Sequence, residues 1–327
     1  METIVHIVIF LSSAAIVWFF AGVLIEAVNR IARRFNKTGF LVAFFILGAL
    51  TSIGELSVAA NSLIGRVPEV AVGNLIGATF VVLLFIVPFL AAAGRGIVLS
   101  CSLSKRMLFF ILAMVALPAL LVIDGDVTRM EGLLAVLSYG TIAYVLYKTR
   151  TFLPAVSDLP AETLSKLHAT LIDIGRILIG GVAIFLAAHF LVEQAVFFAE
   201  ALSVPASLVG LILLSIGTNI PEIVIAIRAV LRRQTDVAFG DYLGSTSMNT
   251  LIFGVLALLS GTFFLEASEF IVTTALLIAG LVTLYVFAGS NYTLSRREGA
   301  LLILFYVAFL AFQFYNVVRF ATDNLPA

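Results

Sequence analysis

Two acids stand out in a chain with few charges. Glu55 closes the string "TSIGE" that begins at Thr51, and Glu222 closes "TNIPE" that begins at Thr218. The hydroxyls of Thr51, Ser52 and Thr218 and the amide of Asn219 precede the two carboxylates within about one helical turn. With backbone carbonyls freed nearby, they make an oxygen-rich set, which suits hard cations. Ca2+ takes about six to eight oxygen ligands and two carboxylates neutralise it, whereas Mg2+ demands tighter octahedral geometry. Zinc and copper favour clustered imidazole or thiolate. The three histidines, His6, His168 and His189, are scattered, and the single cysteine, Cys101, excludes an internal disulfide.

Downstream of each acid lies a glycine pair, Gly73 with Gly77 and Gly240 with Gly244, each pair starting 18 residues past its Glu. Small residues four apart let another helix backbone approach closely. The spacing predicts that the glycine-bearing helices pack against the glutamate-bearing ones. Asn74 and Asp241 fall inside the pairs and Asn249 follows Gly244, so all three are expected to line the same cavity. Asp241 has a second reading, an ion pair with Arg232 or Arg233 near the inner end of its span. Glu26 and Glu193 sit near span ends and read as interfacial anchors, and His189 reads as a hydrogen-bonded helix histidine.

The elements that must position these groups are membrane helices. The 327 residues are 62% hydrophobic and 12% charged, with a mean hydropathy of +1.16; a soluble domain carries about 25% charge. Apolar runs long enough to span a bilayer lie at roughly 4–28, 38–63, 70–94, 105–123, 129–149, 171–195, 204–230, 237–262, 268–288 and 298–318. The first run has no basic leader and is expected to be a retained helix. Both glutamates fall deep within their runs, where insertion of an acid costs about 2.5–3.5 kcal/mol, so a cavity, ion path or partner is expected there. Zero net charge predicts no nucleic-acid partner.

Positive charges orient the chain, because basic residues near span ends stay on the cytoplasmic side. With both termini outside, 16 of the 19 Lys and Arg residues fall on inner segments, leaving Arg66, Arg129 and Arg319 outside. In a prokaryote the host would be the cell (inner) membrane.

An offset of 167 residues relates the chain to itself. Thr51, Ile53, Glu55, Ala59, Arg66, Val70, Ala71, Gly73, Gly77, Thr79 and Leu84 return as Thr218, Ile220, Glu222, Ala226, Arg233, Val237, Ala238, Gly240, Gly244, Thr246 and Leu251. The chain divides into a first five-helix repeat at 1–150, a cytoplasmic linker at 151–170 and a second five-helix repeat at 171–327. Five is odd, so the second half enters from the opposite face. Inverted repeats of this kind build secondary transporters, with the site near the midplane on interrupted helices. Pro221 removes a backbone donor and predicts a break before Glu222; Gly54 holds the matching place before Glu55 and permits a bend.

These strings resemble the cation/Ca2+ exchanger superfamily, which includes the sodium/calcium exchangers. Its repeats read approximately G-T-S-x-P-E, then G-N-x-x-G-S-N-x-x-N, and the second repeat here, 217–249, is similar with "GTNIPE" and "GDYLGSTSMN". The first, 51–82, departs: "TSIGE" lacks the proline, and "GNLIGATFVV" sets Ala78, Thr79 and Val82 where the family has Ser, Asn and Asn. The resemblance implies an all-α polytopic membrane protein, ten transmembrane helices in two inverted five-helix repeats, with ion-coordinating positions at Glu222, Thr218, Ser245 and Asn249 and, from the first half, at Glu55 and Thr51. It implies a secondary active antiporter that exchanges Ca2+ for Na+ by alternating access. A Ca2+/H+ exchanger and a non-transporting cation-binding protein are the alternatives. No nucleophile-and-base pairing points to an enzyme. No cofactor is expected; the partners are inorganic cations and the bilayer, and no oligomer is required.

Overall fold

A computed structural model of the chain describes residues 2–34, 44–45, 48–94, 96–98, 104–149, 163–201, 206–219, 222–223, 235–291 and 293–323. Ten helical segments follow one another among them. They are α1 (Glu2–Arg34), α2 (Gly48–Thr51 and Ile53–Gly65), α3 (Pro68–Ala93), α4 (Lys105–Leu121), α5 (Arg129–Thr149), α6 (Thr163–Ala201), α7 (Ala206–Thr218), α8 (Thr235–Ser260), α9 (Ala267–Asn291) and α10 (Arg296–Asp323). The expected ten-helix, all-α architecture is the observed one. Helix α6 starts at Thr163, inside the segment expected to link the halves. Pro221, Arg232, Arg233 and the last part of the expected seventh span, 224–230, lie outside the described residues.

The 167-residue offset reappears as geometry. Capping boxes open α5 and α10 at twin positions: Thr128 N and Ser295 N each donate to the Glu three residues on, Glu131 and Glu298, at 2.7 Å. Glu131 N and Glu298 N return the bond to the Thr128 and Ser295 hydroxyls at 3.3 Å. Two short antiparallel ribbons repeat the relation. Strand β1 (Ile97–Val98) pairs with β4 (Thr293–Leu294), and β2 (Asp126–Val127) pairs with β3 (Phe263–Phe264). Each ribbon joins the α3–α4 or α8–α9 connection of one half to the α9–α10 or α4–α5 connection of the other, so the halves are tied across the pseudo-twofold axis at both ends.

Helices α3 and α8 form the centre of the bundle, and α1 packs chiefly against α6 at its periphery. Close approach explains the glycines. A Cβ on Gly73 or Gly77 would run into the backbone carbonyls of Ser207 and Leu211 on α7, and one on Gly244 into the carbonyl of Phe44, just before α2. The packing expected of the glycine pairs is therefore found, and it crosses between halves: α3 seats on α7, and α8 seats on the start of α2. Phe80 of α3 stacks on Phe309 of α10 with centroids 4.0 Å apart, closing the core beside this contact.

At one end, α1 and α6 are joined by Asp173, whose Oδ1 accepts from Arg30 Nε at 3.0 Å and Arg176 Nη1 at 2.9 Å. At the other, His6 stacks on Phe197 and meets Gln194 Oε1 at 2.6 Å. The offset maps His6 onto Asp173 and Arg30 onto Phe197, so the two clasps occupy equivalent places with different chemistry. His189 pairs with Glu193 at 3.3 Å on an exposed face.

Candidate cation site at the helix breaks

Both glutamate-bearing helices are interrupted one turn ahead of the acid, and at twin positions. Ser52 breaks α2 with φ −76° and ψ 8°, and Asn219 ends α7 with φ −95° and ψ 8°. No proline acts at the first break. The Ser52 hydroxyl donates to Gly48 O at 2.8 Å, the carbonyl that also receives the Ser52 amide at 3.2 Å. Side-chain competition for a helix carbonyl is the device serine brings to such a turn. At the second break, Asn219 Nδ2 likewise donates to Ser215 O at 2.8 Å. Gly54, expected to loosen the first half, lies against Thr218 of the second, where a Cβ would meet the threonine Cβ at an ordinary 3.4 Å.

All nine residues singled out for cation binding are buried: Thr51, Ser52, Glu55, Thr218, Asn219, Glu222, Asp241, Ser245 and Asn249, none more than 5% exposed. Hydrogen bonds show which of them meet. Asn219 Nδ2 reaches across the halves to Glu55 Oε1 at 3.1 Å. Thr51 Oγ1 donates to Asp241 Oδ1, and Thr218 Oγ1 to Asn74 Oδ1, each at 3.4 Å. Ser52 Oγ also donates to Ser245 O at 3.3 Å, bringing α8 against the first break. Glu222 is within Coulombic reach of both Glu55 and Asp241. The arginines of the alternative reading of Asp241, Arg232 and Arg233, lie outside the described residues; among the described residues Asp241 Oδ1 accepts from Thr51.

Three buried oxygens in this cluster have no hydrogen-bond partner among the described residues: Glu55 Oε2, Glu222 Oε2 and Asn249 Oδ1. A buried ionised carboxylate without a counter-charge is strongly unfavourable in an apolar interior. No Lys, Arg or His is among the buried side chains of the described residues. Oxygen donors with spare lone pairs and carboxylates with no buried basic side chain beside them among the described residues suit a hard cation.

Sequence reasoning missed two members of the cluster. Tyr242 OH donates to Glu222 O at 3.4 Å, and Ser215 both presents its carbonyl to Asn219 and hydrogen-bonds Leu211 O. Tyr242 follows Asp241 directly, so its proximity was readable once α8 was placed; Ser215, one turn before Asn219, was readable only from the break. On the first-half side the structure sets apolar residues where Ser245 and Asn249 have their twins: Ala78 and Val82 are fully buried, and Val82 lies in a π-helical stretch, Val81–Ile86, that widens α3. The corresponding part of α8 is regular helix.

A bundle of two inverted five-helix repeats, with polar helix breaks meeting between them, is the architecture of a secondary transporter. The sodium/calcium exchanger protein family matches residues 5–148 and 172–315, two stretches offset by the same 167 residues. The chain belongs to that family. The sodium/calcium exchanger MaX1 of Methanosarcina acetivorans is 37% identical over 147 residues, 44% of this chain and 41% of that protein. An uncharacterised membrane protein of Methanocaldococcus jannaschii, MJ0091, is 25% identical over 90% of this chain and 91% of its own length. The putative antiporter CaxA of Alkalimonas amylolytica is 25% identical over 88% and 90%. Among solved structures, the sodium-calcium exchanger NCX_Mj soaked with Na+ and Sr2+ superposes with a TM-score of 0.68, covering 94% of this chain and 98% of that one at 20% identity.

Proposed function

We propose that this integral membrane protein is a secondary active antiporter exchanging Ca2+ for Na+ at a site shared by Glu55 and Glu222. The observation that carries the reading is a pair of buried carboxylate oxygens, Glu55 Oε2 and Glu222 Oε2, without a hydrogen-bond partner among the described residues and standing at twin helix breaks. Hydroxyl and amide oxygens of Thr51, Ser52, Thr218, Asn219, Ser245 and Asn249 supply further ligands, and Asp241 adds a third negative charge. The relatives named as exchangers and antiporters support the class of reaction.

Both ions compete for the same carboxylates. Loaded from one side, the site reorients between the halves, releases its ion on the other and returns with the competitor. The excess of Lys and Arg on the segments read as inner supports an orientation with both termini outside.

Reconstitution in proteoliposomes tests the reading. Ca2+ uptake should follow an outward Na+ gradient, and Glu222→Gln should abolish it while leaving a folded, inserted protein. Uptake that follows a pH gradient in place of a Na+ gradient would reassign the driving ion to H+. Near-normal flux in the variant would remove Glu222 from the site.

A further inference from the structure

The pseudo-twofold axis isolates one asymmetry of charge. Glu55 and Glu222 are twins under the offset, and so are the contacts of Thr51 with Asp241 and of Thr218 with Asn74. The contacts have the same donor type and the same 3.4 Å length. They differ in the acceptor, a carboxylate on α8 and an amide on α3. Asp241 is 2% exposed and Asn74 fully buried, and no buried Lys, Arg or His offsets the extra charge among the described residues.

We propose that Asp241 is the residue that biases this site toward divalent over monovalent cations, positioning the Thr51 oxygen as a ligand and adding its own negative charge to those of Glu55 and Glu222. The proposal rests on the two-glutamate reading above. Two glutamates alone neutralise a divalent ion; with Asp241 the occupied site stays net negative, a condition that rewards higher valence. The Thr51 hydroxyl has one hydrogen and two acceptors within reach, Gly48 O at 3.3 Å and Asp241 Oδ1 at 3.4 Å; the carboxylate is the stronger acceptor, and a hydrogen given to it leaves the threonine lone pairs for an ion. Thr218 makes the same bond to a neutral amide, so its hold is weaker. Glu55 Oε2, Glu222 Oε2 and Asn249 Oδ1, the three oxygens of the cluster without a partner among the described residues, mark the space where that charge is felt.

Valence gives the idea a quantitative signature. At any given distance and dielectric, Coulomb stabilisation of a divalent ion is twice that of a monovalent one. Removing the charge should therefore raise the Ca2+ dissociation constant by the square of the factor for Na+, for example about tenfold against about threefold.

The measurement is 45Ca2+ equilibrium binding to the purified full-length protein, with Na+ competition, at fixed pH. D241N should weaken both ions with the logarithmic shift for Ca2+ about twice that for Na+. The double variant N74D/D241N, which moves the charge to the twin acceptor, should restore the Ca2+/Na+ preference, and N74D alone should strengthen it. A D241N protein with equal shifts for both ions, or with none, overturns the proposal, as does a folded double variant that restores nothing. If D241N fails to fold, N74D alone decides by the same two-to-one rule. E222Q separates the two levels: undiminished Ca2+ binding in E222Q would overturn the site itself, whereas lost binding in E222Q with a flat D241N overturns the role of Asp241 alone.

Discussion

Asn219 is where the two halves touch through a glutamate, and its replacement by alanine is the sharpest probe of the site. Its Nδ2 donates to Glu55 Oε1 at 3.1 Å and to Ser215 O at 2.8 Å. Glu55 Oε2 has no partner among the described residues, so Asn219→Ala takes a donor from a carboxylate that has few. Hydrogen bonds to charged groups contribute about 1.5–3 kcal/mol. If that bond holds Glu55 in the orientation a cation needs, its loss weakens Ca2+ binding by about tenfold to somewhat over a hundredfold, at about 1.4 kcal/mol per decade. The freed Ser215 carbonyl lies in the last turn of α7, so the ion-free protein should also melt earlier. The assay is Ca2+ binding by isothermal titration on detergent-purified protein, with melting curves at zero and saturating Ca2+. A variant that stays monodisperse and binds Ca2+ within about twofold of the parent would refute the claim that Asn219 orients Glu55.

Two glycines in the central bundle should behave oppositely. A methyl on Gly77 would lie 2.7 Å from Ser215 Cβ and Oγ and closer still to the Leu211 carbonyl; Gly77→Ala should cost about 1–3 kcal/mol by forcing α3 from α7. A methyl on Gly217 meets nothing within 4 Å, so Gly217→Ala should leave the melting temperature unchanged or raise it, since alanine is favoured over glycine in a helix by about 0.5–1 kcal/mol. Equal melting shifts in the same direction would contradict the cross-half packing. Val82→Asn buries an amide where the first half has an apolar wall; the ion-free protein should lose about 1–3 kcal/mol, and saturating Ca2+ or Na+ should recover it with an altered ion preference. A loss that neither cation recovers would place Val82 off the ion path.

The helices were legible because the bilayer demands long apolar runs, and the inverted repeat because Glu and paired glycines recur at one offset against an apolar background. The glycine pairs correctly signalled tight packing between the central helices. That they pack across the halves was not legible, because spacing along one chain does not say which twin is the neighbour. The break at Ser52 was missed for a physical reason. Proline announces an interruption by removing a donor, but serine achieves it by competing for the Gly48 carbonyl, and serine does this only where tertiary contacts such as Ser245 O favour it. Asn219 read as a ligand through its amide oxygen; that its amide nitrogen donates to Glu55 and Ser215 was not legible, because the residue type leaves the donor's partners open. The π-helical stretch of α3 and the four two-residue strands left no periodicity long enough to read.

In the proposed exchange, coupling between the two ion fluxes would follow from what the site cannot tolerate. Glu55, Glu222 and Asp241 are enclosed by the most tightly packed helices of the bundle, with no buried basic side chain among the described residues. In the proposed exchange, the site must pass through a state closed to water on both sides. Without an ion, each ionised carboxylate would then stand uncompensated, at an effective cost of about several kcal/mol apiece. Even about 4 kcal/mol of added barrier slows a step by roughly three powers of ten. A cation removes that barrier by supplying the missing charge, whichever of the competing ions it is. The loaded site therefore crosses quickly and the empty one slowly, and an ion released on one side must be replaced there before the site returns. Coupling in this proposed exchange, as opposed to one-way leak, would be built from the same carboxylate oxygens that would hold the ion.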